Sequence, residues 1–219
     1  MREKLPEERP VTHRSTIPAR RAGTGGPDFI RIRKGVETMS RIVVLAGSPR
    51  KGGNTEMLAR AFAEGAGKHN EVEVVPVADY SVHPCTGCNR CFSDPEHRCF
   101  RDDGMRQIYG KLRQADVLVV ASPVYFYGIS AQLKAVIDRL HTPMRNGFPI
   151  RKLGLILVGA AELPDLFDPI LLQYRLILRF FGLEDIGTVL VRGAKDKGDV
   201  LATDGIRQAR EMGENLNGA

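Results

Sequence analysis

Five short apolar runs, each followed by a stretch of helical period, constrain the fold of this chain more than any other feature of its sequence. Ile42-Val43-Val44-Leu45-Ala46, ending at Gly47, has no polar alternation, as expected of a strand buried on both faces. Residues 72–77, 117–120, 153–158 and 186–191 repeat that character. Between them, Met57, Leu58, Ala61, Phe62 and Ala66 stripe a helix over 54–67 with Gly67 as its stop, and Ile129, Leu133, Val136, Ile137 and Leu140 stripe another. Met105, Ile108, Tyr109, Leu112 and Ala115 mark a helix with Asp102 and Asp103 as caps, and two more are predicted over 165–181 and 199–216. Strands joined by helices pair in parallel. The expected fold is therefore α/β, a doubly wound five-stranded parallel sheet of order 2-1-3-4-5. Such a sheet binds ligands beyond the carboxyl ends of its strands where the order reverses, here between the first and third. That points to residues 47–55 and 121–129.

The 219 residues suffice for one such domain, predicted over 41–219. The longest apolar run, Leu153 to Ala161, falls far short of the roughly 18 residues of a membrane helix, and the amino end has no secretory pattern, so the expectation is a cytoplasmic protein. Of the net charge of +6, residues 1–40 supply nine basic against five acidic groups, so the remainder is nearly balanced. A nucleic-acid face is therefore not expected. With four prolines and a glycine cluster at 23–26, residues 1–40 read as a disordered basic arm. Met39 is a candidate native start, and a targeting or anchoring arm is the alternative.

The first loop reads Gly47-Ser48-Pro49-Arg50-Lys51-Gly52-Gly53-Asn54-Thr55. A helix N-terminus leaves N–H groups unpaired, the glycines let the backbone curl close to an anion, and Ser48, Arg50, Asn54 and Thr55 add donors, which suits a phosphate. No Lys-Ser/Thr pair follows the glycines, so there is no γ-phosphate or Mg²⁺ site of the P-loop kind. A terminal monophosphate fits best, against the alternative of a plain glycine-rich turn. The second loop, Pro123-Val124-Tyr125-Phe126-Tyr127-Gly128, sets three aromatics in a row, which cannot all enter one core. Beside the phosphate loop, an exposed aromatic surface suggests FMN.

All four cysteines fall within fifteen residues, as Cys85-x2-Cys88-x2-Cys91-x7-Cys99 in a loop over 83–101. Disulfides are disfavoured in the cytoplasm, and zinc usually takes two separate C-x-x-C pairs. Overlapping C-x-x-C units suit an iron–sulfur centre, with zinc and metal-free cysteines as alternatives. His83 and His97 are nearby substitute ligands or plain loop residues. No hydrolase elbow occurs. Residues 165–181 are apolar on nearly every face, which suggests a homo-oligomer interface.

Gly47-Ser48-Pro49-Arg50-x-Gly52-Gly53-Asn54-Thr55, Cys85-Thr86-Gly87-Cys88, Asp102-Asp103-Gly104-Met105 and Ser122-Pro123-Val124-Tyr125, running on to Lys134 and Asp138-Arg139, resemble the NADPH-dependent FMN reductase-like group of flavodoxin-fold proteins. Within it the cysteine spacing is similar to that of the iron–sulfur flavoproteins. The resemblance, over roughly residues 41–215, implies FMN, a [4Fe–4S] cluster on Cys85, Cys88, Cys91 and Cys99, NAD(P)H as electron donor, and a homodimer or homotetramer. The expected function is an FMN-dependent oxidoreductase passing electrons between NAD(P)H or a ferredoxin-like partner and a small acceptor, with no side chain acting as nucleophile or base. Alternatives are a cluster-free NAD(P)H-dependent FMN or quinone reductase, a flavodoxin-like carrier without turnover, and a zinc-stabilised nucleotide-binding module.

Overall fold

The computed structural model describes residues 39–216, so most of the basic arm lies outside the described residues. Five strands, β1 (Arg41–Ala46), β2 (Glu71–Pro76), β3 (Val117–Pro123), β4 (Lys152–Val158) and β5 (Glu184–Val191), form a sheet of order β2-β1-β3-β4-β5. All four pairings are parallel, as the apolar runs predict. Helices α1 (Asn54–Ala66), α2 (Arg90–Ser93), α3 (Met105–Leu112), α4 (Ala131–Arg139), α5 (Asp168–Phe181) and α6 (Gly205–Glu214) complete it.

Successive side chains of a strand point to opposite faces, and here both faces are covered. Val43, Leu45, Leu118, Val120, Leu153 and Leu155 pack against α3, α4 and α5 through residues such as Ile108, Val136 and Ile170. Ile42, Val44, Val117, Val119 and Ile156 pack against α1 and α6 through Leu58, Phe62 and Ala209. The α1–α6 contact is unusually close. A Cβ on Gly65 would come within 2.1 Å of the Arg210 carbonyl oxygen, and one on Gly213 within 2.3 Å of that of Phe62. Among the described residues no helix is long and apolar enough to cross a membrane.

Three sequence expectations are corrected. The helix expected over 165–181 begins at Asp168, with Pro169 in its first turn, because residues 165–167 form a turn that buries Leu166 and Phe167. The helix expected over 199–216 is divided. A 3₁₀ turn at Asp199–Ala202 ends where the Thr203 hydroxyl donates to the Val200 carbonyl and accepts the Gly205 N–H, and α6 starts afresh. The adjacent acids Asp102 and Asp103 do not share a capping role. Asp102 pairs with Arg106 on the surface at 3.0 Å, whereas Asp103 accepts the Met105 N–H and is otherwise committed to a buried ion pair.

Candidate functional site

Register sets the site. β1 ends at Ala46, opposite Ala121, while β3 runs two residues further to Pro123, so the two neighbouring strands deliver their loops on the same side of the sheet. After β1, the Gly47 N–H donates to the Ala121 carbonyl at 2.8 Å, continuing the ladder by one step. The chain then turns through Gly52, whose φ of +63° favours glycine, into α1. Gly53 stands at the N-cap and no side chain caps the helix. The N–H groups of Asn54 and Thr55, first in α1, have no carbonyl within the helix to meet. A Cβ on Gly53 would press within 3.1 Å of the Arg50 carbonyl, so the missing side chain keeps the cradle open.

The side chains of this loop divide their work in a way the sequence does not show. The Ser48 hydroxyl accepts the Arg50 N–H at 3.2 Å and shapes the turn. Asn54, predicted as a phosphate donor, is a brace. Its amide nitrogen donates to the carbonyls of Ala194 and Asp196, and its oxygen accepts the Gly198 N–H at 2.8 Å. Thr55 is buried on α1. Arg50 is exposed and donates to the Lys195 carbonyl at 3.3 Å. The same β5–α6 loop brings Lys197, which sequence reasoning missed, with its Nζ 2.9 Å from where a Gly52 Cβ would lie. Glu56 accepts the Gly52 N–H at 2.6 Å, and that bond, followed by the Arg60 bond, holds its carboxyl below the ordinary value. The donor set of an uncapped helix end, Arg50 and Lys197 suits a terminal phosphate.

After β3, the Val124 N–H donates to the Val158 carbonyl at 2.7 Å. Tyr125 and Gly128 then exchange both backbone bonds, at 2.9 and 3.1 Å, around Phe126 and Tyr127. Those two residues have φ of +48° and +63°, the pair of left-handed conformations of a type I′ turn, where Asn-Gly is usual. Two bulky side chains held there are strained, at about 1–2 kcal/mol each. Phe126 is 98% exposed, and Tyr125 and Tyr127 are about half as exposed. The chain thus spends strain to lift aromatic surface above the sheet. That surface suits a planar ring.

Two fully buried serines that the sequence reading did not assign to the site tie the loops together. Ser130 caps α4 by accepting the Leu133 N–H, and its hydroxyl donates to the Gly47 carbonyl at 2.6 Å. Its own N–H donates to Ser122 Oγ at 3.1 Å. Ser130 was visible as an N-cap before an apolar stripe, but its 83-residue reach to Gly47 was not.

The cysteine loop is built differently. Cys85 and Cys88 are exposed, Cys91 and Cys99 partly so, and all four are free thiols. Cys85 Sγ accepts the Gly87 N–H at 3.4 Å. The Arg90 N–H, ahead of the Thr86 hydroxyl, holds the Cys88 thiol below its ordinary value. The His97 ring meets the Cys91 carbonyl at 3.2 Å, and His83 lies 3.4 Å from Asp103. Among the described residues, no three His, Cys, Asp or Glu side chains are gathered as a metal site. In donor chemistry the loop fits an iron–sulfur centre, with four free thiols on one segment.

The buried Arg139–Asp103 pair, 2.6 Å apart, anchors the start of this loop. Burial would raise the Asp103 carboxyl, but the Arg139 guanidinium and the His83 and Met105 N–H groups outweigh it and leave it below the ordinary value. Tyr109, whose hydroxyl donates to the Arg139 carbonyl at 2.7 Å, is pushed up to about 12 by burial.

Comparison with known proteins agrees with this geometry. An iron–sulfur flavoprotein of Methanocaldococcus jannaschii is 39% identical over 125 residues, covering 56% of this chain and 63% of that protein. One of Methanosarcina thermophila is 39% identical over the same length, covering 56% and 64%. The matched part thus spans less than two thirds of those relatives. Among solved structures, the NAD(P)H:quinone oxidoreductase from Methanothermobacter marburgensis superposes with a TM-score of 0.65 at 18% identity, over 82% of this chain and 98% of that one, and so shares the fold. Residues 40–181 match the model of the NADPH-dependent FMN reductase family, and the chain belongs to that family.

Proposed function

We propose that this protein is an FMN-dependent oxidoreductase that moves electrons between NAD(P)H or a ferredoxin-like partner and a small acceptor. The observation that carries this reading is the presence of an uncapped helix N-terminus and an exposed, strained aromatic turn beyond the carboxyl ends of the neighbouring strands β1 and β3. In it, the first N–H groups of α1, with Ser48, Arg50 and Lys197, hold the phosphate, and Gly53 keeps the cradle open. Pro123 and Val124 carry the chain to the ring site, where Tyr125, Phe126 and Tyr127 cover the ring and Gly128 closes the turn. When bound, FMN supplies hydride and single-electron transfer. The chain binds, orients and shields, and no side chain serves as nucleophile or base.

Cys85, Cys88, Cys91 and Cys99 are the proposed ligands of a [4Fe–4S] cluster. The donor set and the iron–sulfur names of the relatives support this. A second reading is an NAD(P)H-dependent FMN or quinone reductase without a cluster, supported by the match to the NADPH-dependent FMN reductase family. We further propose a homo-oligomer joined through α5, on which Leu172, Leu176 and Phe180 recur every four residues as an exposed apolar stripe.

Anaerobic purification followed by an absorption spectrum, with FMN, iron, sulfide and zinc quantified per chain, tests the reading. FMN with about four irons supports both cofactors. FMN without iron leaves the reductase, and a colourless protein sinks the flavin. Rapid bleaching by NADPH separates an enzyme from a carrier reduced by ferredoxin alone.

A further inference from the structure

We propose that Arg139 is the positioning residue of the cysteine centre, its free guanidinium N–H groups donating to the thiolates that bind metal, Cys99 foremost. The inference rests on the cluster reading above. Arg139 ends α4 and is 4% exposed. One nitrogen, Nη1, donates to Asp103 at 2.6 Å and to the His83 carbonyl at 3.2 Å. Nε and Nη2 are buried and have no partner. Folded chains leave few buried donors idle, and a guanidinium with two of them points to a negatively charged ligand.

Its surroundings say where that ligand comes from. Arg139 holds the carbonyl of His83, two residues before Cys85, and Thr142, three residues beyond Arg139, donates to the carbonyl of His97, two residues before Cys99. Both ends of the loop are therefore fastened to the end of α4. Tyr109 bonds to the Arg139 carbonyl and shares with Cys99 the wall of a cavity of about 870 Å³. Cys99 is the one thiol on that wall, and the fastened loop brings it to the side of the fold where the idle donors lie.

Thiolates around a cluster carry net negative charge, and both charge and hydrogen bonds to sulfur tune its potential. A fixed cation donating to Cys99 favours the more negative, reduced state. Asp103 orients the guanidinium, as outer partners orient metal ligands. Lysine at 139 would keep the charge but lose the planar fork.

The test compares anaerobically purified holoprotein with Arg139→Lys and Arg139→Gln. The cluster's midpoint potential is followed by electron paramagnetic resonance during redox titration, with FMN and iron per chain and the rate of iron loss to a chelator. We expect Arg139→Lys to keep its circular dichroism and FMN, to shift to a more negative potential and to lose iron faster, and Arg139→Gln to shift further. Should Arg139→Gln not fold, Asp103→Asn, which frees the guanidinium from its anchor, is expected to lose iron faster than the wild type. Iron in the wild type with unshifted potential and unchanged iron loss in Arg139→Lys overturns this role alone. An iron-free wild type overturns the cluster reading and this role with it.

Discussion

At the ends of β1 and β3, buried serines bind one loop to the other. Ser130 joins Gly47 to α4, Ser122 joins Ser130 to β3, and Asn54 adds the β5–α6 loop. The cysteine loop is fastened near its ends, by Arg139 at His83 and Thr142 at His97, while in its middle Asp94 accepts the N–H groups of Glu96 and Arg98. The first region is held together by buried hydrogen bonds from side chains distant in sequence. The second leaves its four thiols free on a loop fastened only near its ends. One fold thus carries one loop tied along its length and another moored only near its ends, to the end of α4.

The mooring is the place to break that difference. Arg139→Ala leaves Asp103 charged and buried, and is expected to cost about 3–5 kcal/mol in urea denaturation. Replacing both, as Arg139→Met with Asp103→Leu, should recover most of that loss. The same pair gives an acid signature. The folded carboxyl of Asp103 lies below its unfolded value of about 3.9, so its contribution is full above that pH and is lost as pH falls through the folded value. Stability measured from pH 7 to pH 3 should show a decline that Asp103→Asn flattens.

Ser130→Ala tests the first region. It removes the cap of α4 and strands the Gly47 carbonyl, at about 1–3 kcal/mol, and FMN titration should show roughly tenfold weaker binding. Phe126→Asn with Tyr127→Gly gives the type I′ turn its preferred residues. Stability should rise by about 1–2 kcal/mol while FMN affinity falls, and a loss of both would show that the aromatics are packing elements. The smallest effect belongs to Cys85→Ser with Cys88→Ser, expected to change metal-free stability by less than about 0.5 kcal/mol and leave FMN binding intact. A large loss in that variant would erase the contrast between the regions.

What could be read in advance follows the same division. The strands were legible because a sheet covered on both faces needs unbroken apolar runs, and Ile42 to Ala46 has no other use. The turn at Gly52 and the exposed aromatics were legible because their chemistry is local. Ser130, Lys197 and the second role of Asp103 were not, because each is defined by a partner far away in sequence, Gly47, Lys51 and Arg139 respectively. Asn54 misled for that reason, since an amide at a helix start reads as a ligand donor until the carbonyls of Ala194 and Asp196 are in view. In α5 the apolar residues on every face concealed that its first turn waits for Pro169.

Asn54 has one more consequence, for the order in which a ribosome delivers this protein. Its partners lie 140 to 144 residues downstream, and α1 itself is clamped by α6 through Gly65 and Gly213. The glycine-rich turn is translated early but stands unbraced until Ala194, Asp196 and Gly198 have left the exit tunnel. Completion of the turn is then among the last events of biogenesis, and a nascent chain stalled within β5 carries every residue of the turn without the support that holds it in shape.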